Sequence, residues 1–327
     1  MSEQLPLVIG LGVVDPGLVA EAFAGRCRFV ADPTDGDLRE AHGAIARADA
    51  TIDTAFLDRA PLLRVVARTG VGVERVDLEA TTSRGIAVVV TPGAGAVAVA
   101  EGAIAMAMHL VKRLGPLTDL VRSGRWVDRG SVTVGDLAGS TLGVVGFGRI
   151  GRHTSTLGAA LGMKVLAYDP VVEPPAELRC GTLAELLSQS DVITLHLPLT
   201  PGTRHLINTE TLGLTKQGAI LINCGRGSLI DNDAAFQALV AGRIAGIGLD
   251  VFDPEPPQHH PLFDHPDVVL TPHLMGLSRQ ATAATFTAAA TGVVDVLEGR
   301  EPAAVANPHW KTAGAASTSP VPPTGGA

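Results

Sequence analysis

Apolar positions along the chain fall into two alternating rhythms. Short β-branched runs stand at 7–13, 28–31, 43–46, 63–68 and 86–90, and again at 142–146, 164–168, 192–197, 219–223, 246–251 and 268–271. Ala/Leu-rich stretches with helical spacing separate them. Strand and helix in strict alternation predict parallel sheets with helices on both faces. The strands read as nearly continuous apolar runs, as strands buried on both sides do.

After Thr91-Pro92-Gly93 the pattern predicts an alanine-rich helix over 97–114, whose small side chains suit an interdomain or intersubunit contact. A second long helix is predicted at 277–299. Thr182-Leu183-Ala184-Glu185 reads as a capping box. Asp231 precedes a helix that Gly242 ends. The stretch 86–110 is apolar enough to suggest a membrane span, but Pro92, three glycines and Glu101 interrupt it, and strand, turn and helix explain it better. Residues 311–327 are mostly Ala, Gly, Pro, Ser and Thr and have too little to bury, so the tail 310–327 is expected to be disordered. No internal repeat is visible beyond the strand–helix unit.

The 327 residues suggest two domains at roughly 150 residues each. Hydrophobic residues make up 46% and aromatics 3%, so the core must be aliphatic. A net charge of −8 argues against nucleic-acid binding and against docking on anionic lipid. Cys27, Cys180 and Cys224 are scattered and odd in number, which fits a reducing cytoplasm better than a disulfide framework. The N-terminus shows no secretory signal pattern.

The first chemical motif is Gly146-x-Gly148-x-x-Gly151, with Arg149 and Ile150 between the last two glycines, set between a strand and a helix. The first glycine permits the tight turn, the second lets the backbone approach a pyrophosphate, and the third lets helix pack on strand. A pyrophosphate would sit on the helix N-terminus. The next strand ends at Asp169, near the roughly 20-residue spacing at which an acidic side chain accepts the adenosine ribose hydroxyls and repels a 2′-phosphate. NAD is therefore the expected cofactor.

A nicotinamide enzyme needs a proton donor beside the hydride path. A Tyr-x-x-x-Lys pair is absent, since Val172 stands four residues after Tyr168, the only tyrosine; no Gly-x-Ser-x-Gly elbow is present either. His259, His260 and His265 lie near Asp264 and Asp267 without metal-ligand spacing, and no metal site is expected. Three charged residues remain, each just past a late strand: Arg226, Glu255 and His273. Ligands of open α/β sheets gather at such strand ends. Arg226 can hold a carboxylate or carbonyl in a planar fork. His273 can give a proton to a ketone oxygen, and Glu255 can bond the other ring nitrogen and favour the imidazolium form. Taken singly, each also reads as a helix cap, a loop charge and a satisfied core histidine.

Seven ordered segments between about residues 40 and 300 resemble the D-isomer-specific 2-hydroxyacid dehydrogenases, phosphoglycerate dehydrogenases among them. These are RTGVGVERVDLEA, TPGAGAVAVAE, GFGRIGR, LHLPLTPGTRHLIN, NCGRGSLID, GLDVFDPEPP and LTPH. The resemblance implies two doubly wound α/β domains: a Rossmann NAD domain at 97–285 inserted into a flavodoxin-like substrate domain at 1–96 and 286–309. It also implies a dimer formed through the NAD domain, with no room for a regulatory domain. Arg226, Glu255 and His273 fall on the family's catalytic positions. Gly146, Gly148, Arg149, Ile150, Gly151 and Asp169 fall on its cofactor loop and acid, and His196, Pro198, Cys224 and Asp250 on positions that touch adenosine or nicotinamide. Gly70, Val71 and Gly72 match a loop that binds the substrate carboxylate, and Arg47 the place where phosphoglycerate dehydrogenases contact phosphate. The implied partner is a small 2-keto or 2-hydroxy acid such as phosphoglycerate, glycerate, hydroxypyruvate or glyoxylate. An NAD(H)-sensing corepressor and a phosphite-type dehydrogenase share the fold and are the alternatives. Departures are Glu74-Arg75 for a common Asp-Asn, Gly95 for a usual Asn, and Met275 for a usual Gly.

Overall fold

The computed structural model describes residues 5–312. The chain divides into two units, one running to Gly95 and resuming at Arg279, the other spanning Ala96–Ser278. The family resemblance implies boundaries at 96/97 and 285/286. The second falls earlier because Phe286, Ala289, Ala290, Val293, Val294 and Val296 give the helix Arg279–Leu297 one continuous buried face, which keeps it whole in the first unit. Of the expected tail, 313–327 lies outside the described residues. Trp310 packs against the first unit's core, so its order extends past the expected start of the tail.

In the first unit, β1 (Leu7–Leu11), β2 (Arg28–Val30), β3 (Ala41–Ala46), β4 (Val65–Arg68) and β5 (Ala87–Val89) pair in parallel in the order β2-β1-β3-β4-β5. This is the flavodoxin-like order. Side chains alternate between two cores, as a period of two requires. Val8, Ile45, Val65, Ala67 and Val89 pack with the helix Arg279–Leu297, while Ile9, Ala44, Val66 and Val88 pack with Leu38 and Leu57 on the other face. Beyond that helix the chain returns antiparallel along β5: Val90 N–H donates to Ala304 O at 3.2 Å and Ala306 N–H to Val88 O at 2.8 Å. Buried Asn307 fastens this return, accepting Val88 N–H and donating to Ile86 O, both at 2.8 Å. The β5 edge of the sheet is thereby covered.

The second unit contains β6 (Thr141–Val145), β7 (Lys164–Tyr168), β8 (Val192–Leu195), β9 (Ala219–Asn223), β10 (Ile244–Leu249) and β11 (Val268–Leu270). All pairs are parallel, in the order β11-β10-β9-β8-β6-β7, and two isolated parallel bridges join Ala167 of β7 to Arg179 and Ile207 to Ile230. The strand order reverses between β6 and β8, the switch point where doubly wound sheets open a crevice. The predicted alanine-rich helix spans Ala96–Val111 and buries Ala103, Met106, Ala107 and Leu110 against this sheet. It stops short of 114 because Arg113 turns left-handed (φ 54°), and a second helix, Leu114–Arg122, follows that the sequence pattern did not reveal. The Thr182 box is half formed: Thr182 caps Glu185 N–H, but the Glu185 carboxylate reaches Gly181 N–H instead of Thr182. Among the described residues no helix is long and apolar enough to cross a membrane.

Candidate active site

The glycine loop follows β6. Gly146 has φ +100°, and a Cβ there would meet the His196 carbonyl carbon and the Leu197 nitrogen at 2.8 Å. At Gly151 a Cβ would lie 1.9 Å from Gly146 O, so only glycine lets the helix Arg149–Ala160 start this close to the strand. Gly148 differs from both: a Cβ there would meet nothing within 4 Å, and φ is an ordinary −73°. Space, not strain, is what its missing side chain provides. Gly148 is also the N-cap of that helix and offers no side-chain hydrogen bond to its first N–H groups. Free donors facing open space at a helix N-terminus form a cradle for an anion. Arg149 and Ile150 open the helix.

Asp169, at the end of β7, is already engaged. One carboxylate oxygen accepts Phe147 N–H at 2.7 Å, and the other accepts Val171 and Val172 N–H at 2.8 and 2.9 Å. It therefore ties the glycine loop to the turn after β7, beside a hollow of about 270 Å³ bordered by Pro170, Val171, Arg179 and Gly181. A wider hollow of about 820 Å³ lies between the helix Arg149–Ala160 and residues 173–179, and none of Arg226, Glu255 and His273 borders it. His196, past β8, holds Thr194 Oγ1 at 2.9 Å through Nε2, while its Nδ1 is buried with no hydrogen-bond partner among the described residues. Burial pushes its pKa down to about 3, so the ring is neutral. A neutral ring with an orphaned nitrogen beside the glycine loop fits a polar ligand group. Pro198 is exposed two residues on. The Cys224 thiol is buried and pushed up to about 12 by burial and by the Asp250 charge, so it is an uncharged wall.

The three charged residues stand past β9, β10 and β11, on the strand ends that also carry the glycine loop. Arg226 sits in a turn organised by fully buried Asn223, whose Oδ1 accepts Gly225 N–H at 3.0 Å and whose Nδ2 donates to Arg226 O at 2.9 Å. The Arg226 guanidinium donates to Gly225 O at 2.9 Å. At Gly227 a Cβ would lie 2.1 Å from the Phe252 carbonyl carbon, so the Arg226 turn and the Glu255 loop touch backbone to backbone. Glu255 Oε1 accepts Phe252 N–H at 2.9 Å, and Oε2 meets His273 Nδ1 at 2.8 Å.

His273 itself has φ +55°, a left-handed conformation that costs an L residue about 1–2 kcal/mol. Asp250, only 2% exposed, maintains it. Its carboxylate accepts Thr271 Oγ1–H at 2.7 Å, Leu274 N–H at 2.9 Å and Met275 N–H at 3.2 Å. Burial raises the Asp250 pKa, and these bonds with the nearby His273 partly restore the charged form. Sequence reading placed Asp250 beside the cofactor and missed this anchoring; Asn223 it missed entirely. A polar residue ending an apolar strand just before Gly-Arg-Gly was the available signal for Asn223.

The residues expected to bind substrate lie in the first unit, past β3 and β4. The Arg47 guanidinium stacks over the Phe286 ring, 5.9 Å from its centre. Gly70 has φ +150° and its carbonyl accepts Thr91 N–H at 2.9 Å; Val71 is exposed. Gly72 O accepts Arg68 Nε–H at 3.1 Å. Arg68 is 3% exposed and also donates to the carbonyls of Arg47, Ala48 and Ala50. Its fork is committed to the backbone. The histidine-rich loop forms ordinary pairs, His259 with Asp264 at 2.9 Å and His260 with Asp233 at 3.2 Å.

Residues 104–275 match the sequence profile of the D-isomer specific 2-hydroxyacid dehydrogenase NAD binding domain. The chain is 37% identical to D-3-phosphoglycerate dehydrogenase of Sus scrofa over 83% of its own length, spanning 51% of that protein. It thus covers about half the length of the curated relatives it matches. The TT0316 protein of Thermus thermophilus superposes with a TM-score of 0.81 at 36% identity, covering 92% of this chain and all of that one. A D-lactate dehydrogenase of Aquifex aeolicus, complexed with NAD and lactic acid, superposes at 0.77 with 29% identity, covering 90% and 96% of the two chains. The chain belongs to the D-isomer specific 2-hydroxyacid dehydrogenase family, its second unit containing the family's NAD-binding domain.

Proposed function

We propose that the protein interconverts a small 2-keto acid and the corresponding D-2-hydroxy acid, with His273 and Glu255 as the acid–base pair and Arg226 as the substrate anchor. The observation that carries this reading is the 2.8 Å bond between His273 and Glu255 in the unit that also holds the glycine cradle. When bound, the nicotinamide supplies or accepts the hydride. Arg226 orients the substrate by charge-assisted bonds to its carboxylate or carbonyl oxygen. In the reducing direction His273 gives a proton to that carbonyl oxygen, and in the oxidising direction it takes one from the hydroxyl. Glu255 stabilises the charged ring and fixes its orientation. Within the second unit, Gly148, the Arg149 and Ile150 N–H groups, Asp169, His196, Pro198, Cys224 and Asp250 hold the cofactor; in the first unit, Gly70, Val71, Gly72 and Arg47 are the residues the family resemblance assigns to substrate binding.

Glyoxylate, hydroxypyruvate and phosphohydroxypyruvate lead the candidate substrates. The test is NADH consumption with these acids and pyruvate. Turnover of at least one supports the proposal, and none with any keto acid, despite measurable NADH binding, defeats it. The same result would favour a sensor of NAD(H) over an enzyme. Exposed Leu114, Val121, Trp126, Val127 and Val134, close together in the chain, support a second copy of the chain as the partner of the NAD domain. Light scattering on the intact chain distinguishes dimer from monomer.

A further inference from the structure

We infer that Met275 and Gly102 form a lock that holds the His273 turn, making Gly102 a positioning residue for the proton donor; this rests on the acid–base reading of His273. Gly102 lies inside the helix Ala96–Val111, among alanines. Glycine there costs about 1 kcal/mol relative to alanine, so helix propensity gives no reason for it. Packing does. A Cβ at Gly102 would lie 2.3 Å from Met275 Sδ, 2.7 Å from Cγ and 2.9 Å from Cβ. Rotation of the thioether could relieve the first two contacts. The third involves an atom fixed to the backbone, so residue 275 itself would have to move.

That backbone has little freedom. Met275 N–H donates to Asp250, and Gly276 sits against Val99, where an added Cβ would be 3.3 Å from Cγ2. Val99 and Gly102 are three apart and share one helix face. The turn is therefore clamped between the Asp250 carboxylate on one side and a helix notch on the other, with the left-handed His273 two residues away. The bulk of Met275, where the family usually has glycine, is received by the notch. A displacement of about 1 Å at a catalytic group can cost on the order of 100-fold in rate.

The test compares Gly102→Ala, Met275→Ala and the double variant, each in the full chain. Gly102→Ala should lower kcat for keto-acid reduction by about 10- to 100-fold with NADH affinity unchanged. It should also shift the Met275 methyl signal in a spectrum of the protein's five ¹³C-methyl methionines. Adding Met275→Ala should restore most of the lost kcat. A Gly102→Ala protein with wild-type kcat and an unmoved Met275 methyl overturns the lock, as does a folded double variant no faster than Gly102→Ala. Should Gly102→Ala not fold, Met275→Ala alone must lower kcat several-fold, and Met275→Leu must recover it; equal rates in all three proteins overturn the lock. Inactivity of the wild type toward every keto acid defeats the proposed function instead, and the methyl signal still decides the lock.

Discussion

His273 Nδ1 lies 2.8 Å from Glu255 Oε2, while the other oxygen of that carboxylate accepts Phe252 N–H at 2.9 Å. The carboxylate is held by the backbone at one end and holds the imidazole at the other. His273→Ala should lower kcat by about 10²- to 10⁴-fold, the scale of a lost general acid–base, and leave NADH affinity intact. Steady-state kinetics with fluorescence titration of NADH measures both. Equal turnover in the variant removes His273 from the chemistry.

The glycines of the cradle should separate in their effects. Gly151→Ala puts a methyl group against Gly146 O and should cost at least about 2 kcal/mol of stability. Gly148→Ala meets no atom of the described residues within 4 Å, so stability should stay within about 0.5 kcal/mol while NADH affinity falls about tenfold or more. Thermal denaturation and NADH titration of the two variants check this. A Gly148→Ala protein that binds NADH normally would place the pyrophosphate elsewhere.

Asp169 joins structure to selectivity. Removing its carboxylate strands the N–H groups of Phe147, Val171 and Val172, so Asp169→Ala should lose about 1–3 kcal/mol of stability. It should also narrow the preference for NADH over NADPH, since the charge opposing a 2′-phosphate is gone. A variant as NADH-selective as the parent, by the ratio of kcat/KM values, shows that another group sets the preference.

His196 predicts a pH dependence. Its folded-state pKa of about 3 lies below the unfolded value near 6.5. Between those values the unfolded chain binds a proton that the native ring does not, so stability falls as pH drops from 6.5 towards 3 and is unaffected by this residue above that window. The melting temperature of the wild type should therefore fall further than that of His196→Phe between pH 7 and 4.5. Parallel melting curves across that range would contradict the buried neutral ring.

Arg68 and Arg47 should behave oppositely. Arg68→Met removes the guanidinium donor from four loop carbonyls, of which Arg47 O keeps the Ala50 N–H, and should cost about 2–4 kcal/mol, read as a shift in the denaturation midpoint. Arg47→Ala should cost little stability and raise KM selectively for a phosphate-bearing keto acid. A uniform KM change across substrates argues against a phosphate contact at Arg47.

Much of this architecture was legible before coordinates. β7 and β9 lie where the apolar runs placed them, because strands buried on both faces need uninterrupted aliphatic side chains. The glycine loop was legible for a similar reason: a tight turn at Gly146 and a close helix contact at Gly151 each demand glycine at a fixed local spacing. The helix Leu114–Arg122 was not, since Arg113 turns left-handed without glycine or proline to mark the break. Arg68 likewise reads as a loop cation, and only its carbonyl partners reveal a structural staple.

By itself, the sequence determined the alternation of strands and helices, the glycine cradle and the identity of the charged residues at late strand ends, because these depend on neighbours within a few residues. Tertiary structure alone decided that Glu255 meets His273, that Asp250 anchors the left-handed turn and that Met275 seats on Gly102. Those pairings join residues 18, 24 and 25, and 173 positions apart, and a hydrogen bond or a missing Cβ acts through distance in space, which a one-dimensional pattern does not carry.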